Sequence, residues 1–202
     1  VNDDFFELCK RFYLDKTMNR LKLFLGSRDD SFKGEHVVNG TKTNTIDKLL
    51  EDFDWDKIYN GIPTKSFHGD LQFDHVVYDG SENFYLLDWR QDFAGSNVGD
   101  VYYDLSKMYG GILMSYKLMK DNENFSCFID QNVVNYNYKS EPMLEKFKPI
   151  YEKWIINNGY ELDRVKKITA LIFLNMSPLH EKEFGDLLFF KSKQMLQEIN
   201  DK

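Results

Sequence analysis

Apolar residues between positions 4 and 25 recur three and four apart, as Phe5, Leu8, Phe12, Leu21 and Phe24, with charged residues between them. That spacing collects them on one face of a helix, which the pattern ends near Gly26. Residues 27–44 are polar and Gly-bearing and read as a loop. Ile46, Leu49, Leu50, Phe53 and Ile58 mark a second helical stretch over 45–59, closed by Pro63. The period then shortens. Val76-Val77-Tyr78 and Phe84-Tyr85-Leu86-Leu87 are β-type runs around the turn-forming Asp79-Gly80-Ser81-Glu82-Asn83, so a hairpin is expected. A loop with Gly95 and Gly99 covers 92–99, and a helical pattern follows over 100–119, weakened by Gly110-Gly111. Three more helices are expected near 141–158, 161–175 and 182–199, with Pro142 in the first turn of the first. There is no repeat and no low-complexity tract. The expected fold class is α+β, mostly α, with one inserted hairpin, in a single domain spanning 1–202.

The hairpin gathers chemistry. In antiparallel strands, facing residues share a constant sum of positions. A turn centred between Ser81 and Glu82 sets His75 opposite Asp88, with Cα atoms about 4.5–5.5 Å apart. Asp70 lies five residues before the first strand, in the loop leading to the same open end. Two carboxylates and an imidazole therefore converge from three places in the chain. Phosphoryl transfer needs such a set: one carboxylate orients the acceptor hydroxyl and takes its proton, and another group holds the metal that neutralises the phosphates. Kinases write it as Asp-x4-Asn and then an Asp after a hairpin. Here His75 stands five residues after Asp70, and Asp88 eighteen after it.

Composition narrows the partners. The net charge is −7, which leaves no basic surplus for nucleic acid. An acidic chain still binds nucleotides through a bridging divalent ion. No apolar run approaches the roughly 20 residues of a membrane span. Two cysteines, Cys9 and Cys127, make no disulfide framework and fit a reducing, cytoplasmic setting. The three Asn-x-Ser/Thr sequons carry no meaning in that setting. The start, Val1-Asn2-Asp3-Asp4, lacks a signal pattern and reads as the cut edge of a longer chain.

His68-Gly69-Asp70-Leu71, the hairpin, Leu87-Asp88-Trp89, Gly99-Asp100 and Tyr103-Asp104-Leu105 together resemble the aminoglycoside-phosphotransferase and choline-kinase superfamily. The likeness is dense over about forty residues. A second one, in Phe173-Leu174-Asn175-Met176-Ser177-Pro178-Leu179-His180, is to phosphotransferase-like proteins of bacterial capsule and surface-polysaccharide loci. The resemblance implies a protein-kinase-like C-terminal lobe with its catalytic loop and metal hairpin over 67–90. It implies Asp70 as catalytic base, Asp88 as magnesium ligand, and His68 and Asp100 as braces of the catalytic loop. The cofactors implied are Mg2+ and ATP or another NTP. The acceptor implied is the hydroxyl of a small molecule, a sugar or a sugar- or nucleotide-linked intermediate of surface polysaccharide synthesis.

The chain departs from that family in two ways. His75 stands where the family has Asn, and imidazole is a poorer ligand than oxygen for magnesium. No Gly-rich phosphate loop and no strand-borne Lys precede Phe67, so the ATP-covering N-terminal lobe is expected to be absent from this chain, either cut away or supplied by something else. Both departures keep a second reading open, a catalytically impaired pseudokinase-like binding module of a larger polysaccharide-biosynthesis protein. Among other polar residues, Arg90 contacts a phosphate or pairs with an acid such as Asp92, and Gln72 and Asp74 face substrate. Asp104 caps or braces, Tyr102, Tyr103 and Tyr109 are core, and His180-Glu181 lacks the His-Glu-x-x-His spacing of a zinc protease.

Overall fold

A computed structural model describes residues 3–90 and 92–201. Val1 and Asn2, read as a cut edge, lie outside the described residues. In chain order the elements are α1 (Asp3–Lys10), a π turn (Arg11–Asp15), α2 (Lys16–Gly26), β1 (His36–Val38), β2 (Thr41–Thr43), α3 (Ile46–Glu51), α4 (Trp55–Tyr59), β3 (Pro63–Thr64), β4 (Val76–Tyr78), β5 (Phe84–Leu86), β6 (Gly99–Asp100), α5 (Val101–Leu113), β7 (Phe125–Asp130), β8 (Val133–Tyr138), α6 (Pro142–Asn157), α7 (Leu162–Met176) and α8 (Lys182–Asn200). The class is α+β and mostly helical. Among the described residues no helix is long and apolar enough to cross a membrane.

Two compact units share the chain. The first takes Val1–Tyr13, Asp56–Lys117 and Ser140–Thr169. Helix α5 is its centre: Tyr102, Tyr103, Leu105, Tyr109 and Ile112 are buried. Tyr151 donates to the Leu105 carbonyl at 3.0 Å and Thr169 to that of Ser106 at 3.1 Å, which ties α6 and α7 to α5. Phe12 stacks on Phe93 at 3.9 Å, with Tyr103 and Phe67 edge-on or tilted around them. Aromatic pairs in these geometries add about 0.5–1.5 kcal/mol each beyond area burial.

The second unit takes Leu14–Trp55, Leu118–Lys139 and Ala170–Lys202. It holds a four-stranded sheet in the order β2-β1-β8-β7, in which β1 and β8 run parallel. Helix α8 lies against it and buries Leu187, Leu188, Phe189, Phe190 and Leu196. Phe24 stacks on Phe189 at 4.6 Å. Lys193 is fully buried, 2.6 Å from both the Gly34 carbonyl and His36 Nδ1.

This sheet corrects the expectation of a single inserted hairpin. Residues 27–44, expected as loop, contain β1 and β2, turned by Asn39 and Gly40, both at positive φ. The 45–59 stretch breaks into α3 and α4, and the 100–119 helix stops at Leu113. The β4–β5 hairpin forms where expected but one residue out of register. Val76 faces Leu86 and Tyr78 faces Phe84, and Leu87 N–H bonds the His75 carbonyl at 2.8 Å, so His75 opposes Leu87 and not Asp88. The turn centres on Ser81, because Asp79 accepts from the backbone N–H groups of both Ser81 and Asn83.

Candidate functional site

The site lies in the first unit, where the loop before β4 meets the end of β5 and one face of α5. The loop is pinned from below by Asp104. Its carboxylate accepts the N–H of His68 at 2.7 Å and of Gly69 at 2.8 Å. Burial drives the Asp104 carboxyl above the usual range, against the opposing pull of those two bonds. Gly69 has φ +79, and a Cβ there would lie 2.7 Å from the Arg90 carbonyl oxygen, so both the turn and the close packing require glycine.

His68 is a brace on the geometry seen here. Its Nδ1 accepts the Asp70 N–H at 3.2 Å, so the neutral ring carries its proton on Nε2, which donates to the Leu87 carbonyl at 2.9 Å. Arg90 N–H completes the strap by donating to the His68 carbonyl at 2.7 Å. Asp100 is fully buried and caps α5 by accepting from Tyr102 N–H. It also accepts Tyr13 Oη at 2.8 Å and Ile62 N–H at 2.9 Å. It therefore holds the segment leading into the Asp70 loop, while the peptides of the loop itself are held by Asp104.

Asp70 is buried, with a side chain 6% exposed. Lys107 Nζ lies 2.7 Å from Oδ1 and Arg90 Nη2 lies 3.1 Å from Oδ2. At that distance Lys107 acts on Oδ1 first through its charge, and its contact adds to the effect. Burial alone would raise the Asp70 carboxyl. The charge of Lys107, its side-chain contact, Arg90 and His75 outweigh burial and hold it below the ordinary carboxylate range. Asp70 is thus an anion at neutral pH.

His75 is also oriented. Nδ1 sits 2.8 Å from the Asp70 carbonyl oxygen, which can only accept, so the neutral ring keeps its proton there. The Nε2 lone pair is left facing Asp88 Oδ2 at 3.6 Å and Gln72 Nε2 at 3.4 Å. Asp88 reaches this position with φ +57, a left-handed backbone uncommon for a residue other than glycine. One ligand atom each from Asp70, His75 and Asp88 lies within 4.8 Å of the others. The donor set suits a divalent cation. Asp88 offers carboxylate oxygen, and a backbone carbonyl on Nδ1 is the usual support for a histidine ligating through Nε2. Such a mixed nitrogen and oxygen set suits manganese or zinc at least as well as magnesium.

Structure therefore brings together Asp70, His75, Asp88, Arg90 and Gln72. Arg90 pairs with an acid, as one of its two expected roles had it, but the acid is Asp70 rather than Asp92, whose carboxylate accepts Gly95 N–H. Asp74 sits apart from this cluster, on the wall of an adjoining cavity. Lys107 is the participant that sequence reading passed over. Its signal was present: Asp100, Asp104 and Lys107 follow one another four and three apart on a single face of α5. Comparison of the chain with protein-family models, with curated proteins and with solved structures finds no match.

Proposed function

We propose that this chain is the catalytic-loop lobe of an ATP-dependent phosphotransferase that acts on the hydroxyl of a small molecule, as its likeness to the aminoglycoside-phosphotransferase and choline-kinase superfamily implies. One observation carries the reading: a buried, anionic Asp70 stands in a loop pinned at two consecutive N–H groups, within 4.8 Å of a paired histidine and carboxylate. Asp70 would orient the acceptor hydroxyl and take its proton. Its low basicity suits a loose transition state, in which positioning outweighs proton abstraction. Asp88 and His75 would hold the divalent ion that neutralises nucleotide phosphate, and Arg90, its side chain 65% exposed, can swing to a phosphate oxygen. The exposed apolar side of the hairpin, with Val77, Tyr85 and Leu87, supports a nucleotide or a covering lobe at that place. The acceptor is proposed within the class of sugars and sugar-linked intermediates of surface polysaccharides.

The second reading, a pseudokinase-like binding module, is favoured by one feature. Both carboxylate oxygens of Asp70 already lie against cations, and His75 replaces an oxygen ligand. Thermal shift of the full-length chain with ATP and either Mg2+ or Mn2+, followed by phosphate transfer to a panel of alcohols, separates the two. Stabilisation by the metal nucleotide, with transfer abolished by Asp70→Asn in a variant that still unfolds cooperatively, at a lower melting temperature because Lys107 is left buried without its partner, is expected for the enzyme. Transfer that survives Asp70→Asn refutes the base assignment. No stabilisation by either metal nucleotide, in the wild type or in His75→Asn, refutes the enzyme.

A further inference from the structure

A cavity of about 400 Å³ opens beside the catalytic loop, within the range of small-ligand sites. It is tied to Asp70 from two sides. Gln72, Phe73 and Asp74 form one wall, beginning two residues after Asp70. Tyr116 forms another, and its ring lies 5.6 Å from Nζ of Lys107, the residue that holds Asp70 Oδ1.

The wall chemistry is selective. Phe73 and Phe147 meet edge-to-face with centroids 6.2 Å apart, and Leu144, Met143 and the Tyr116 ring extend the apolar surface. Met143 is 78% exposed and Phe73 39%, although both border the cavity. Gly111 leaves the floor open, since its absent Cβ would stand 3.6 Å from the Phe73 ring. The charged residues of the wall are Asp74, Glu141 and Lys117, two anions and one cation, with no arginine. Glu141 is engaged at one oxygen by Ser115 Oγ at 3.1 Å. A phosphorylated or nucleotide-linked acceptor would meet a net negative wall and no fork of donors for its phosphates. An acceptor without an apolar face would leave three rings, a leucine and a methionine wet.

We infer that this cavity seats the acceptor, and that the acceptor is an uncharged alcohol carrying an apolar or aromatic group, such as a sugar glycosidically linked to a ring. The inference rests on the phosphotransferase reading and narrows it by excluding phosphorylated and nucleotide-linked sugars. The aromatic part packs against the apolar surface that Phe73 and Phe147 form together, and a hydroxyl is left facing the Gln72 side, toward Asp70.

Titration calorimetry of the 202-residue chain with phenyl β-D-glucoside, methyl β-D-glucoside and glucose 1-phosphate tests this. The expected result is phenyl glucoside binding at least tenfold tighter than the other two, with the preference lost in Leu144→Gln, a half-buried position in the first turn of α6. Thermal melting of that variant checks that it folds. Gly111→Ala, whose added methyl makes an ordinary contact with Phe73, is a second variant and is expected to weaken phenyl glucoside alone. A preference below tenfold, binding by no probe, or a preference that survives in both variants overturns the inference. Phosphate transfer is measured separately, on the full-length chain. A tenfold preference without transfer sinks the phosphotransferase reading and leaves the ligand class standing, whereas transfer without the preference does the reverse.

Discussion

Replacing Lys107 by methionine keeps the length of the side chain and removes its charge. Lys107 and Asp70 have side chains only 9% and 6% exposed and meet at 2.7 Å. Breaking a buried pair by removing one partner costs about 3–5 kcal/mol, because the other charge stays buried. Arg90 still touches Oδ2 at 3.1 Å, but its side chain is 65% exposed, and such a partner is worth about 1 kcal/mol or less. The expected loss at neutral pH is therefore about 2–4 kcal/mol.

The pH dependence distinguishes this cause from lost packing. In the wild type the Asp70 carboxyl lies below its unfolded value, so it contributes stability above the ordinary carboxylate range and loses it only as pH falls through the lower folded value. In Lys107→Met the opposing charge is gone and burial raises the carboxyl above its unfolded value. The penalty is then full at neutral pH and is relieved as protonation becomes possible. Urea unfolding at pH 7.5 and 4.5 should give a gap between the two proteins that shrinks toward acid. In the Asp70→Asn background the same substitution should cost less than alone, the difference being their coupling. An equal loss at both pH values, or strict additivity with Asp70→Asn, refutes the buried-pair account.

Two further outcomes are expected. Gly69→Ala must adopt φ +79 with its Cβ 2.7 Å from the Arg90 carbonyl oxygen, so thermal unfolding should register a loss of about 2 kcal/mol or more, along with the loss of any Asp70-dependent transfer. His36 is buried, and burial followed by the charge of Lys193 lowers its pKa from 6.5 to about 4. The unfolded chain binds the extra proton first, so stability should fall by roughly 3 kcal/mol as pH drops from 6.5 to 4, and a denaturation series in His36→Leu should lack that slope.

Much of the helical framework was legible along the chain. Helix spacing located α5, α6, α7 and α8 because each buries a continuous face. The hairpin was legible because its strands flank a run of turn residues. The convergence of Asp70, His75 and Asp88 followed from that hairpin alone, even though the inferred register was one residue out. The reason lies in Asp79, whose side chain accepts two backbone N–H groups and centres the turn on Ser81. Asp88 still reaches His75, since its left-handed backbone turns the chain back toward the ring.

The β1–β2 hairpin carried a readable sign in Asn39-Gly40, a pair that tolerates positive φ at both positions. It was obscured by the polar composition around it. β7 and β8 also alternate, with Val134, Tyr136 and Tyr138 between asparagines, and their pairing follows from the short Gln131-Asn132 turn. The parallel pairing of β1 with β8 has no local signature, because about a hundred residues separate the strands and only the packed chain brings Val37 to Val133.

The chain by itself determined which residue types stand near the open end of one hairpin. Periodicity and turn chemistry are local and survive without a fold. Only the tertiary structure decided the electrostatic state of that site. The ammonium of Lys107, the grip of Asp104 on two loop N–H groups and the tautomer of His75 depend on distances across thirty or more residues, or on which carbonyl a ring nitrogen meets. Charge and hydrogen bonding act through space, and their strength here comes from burial that no stretch of sequence possesses alone.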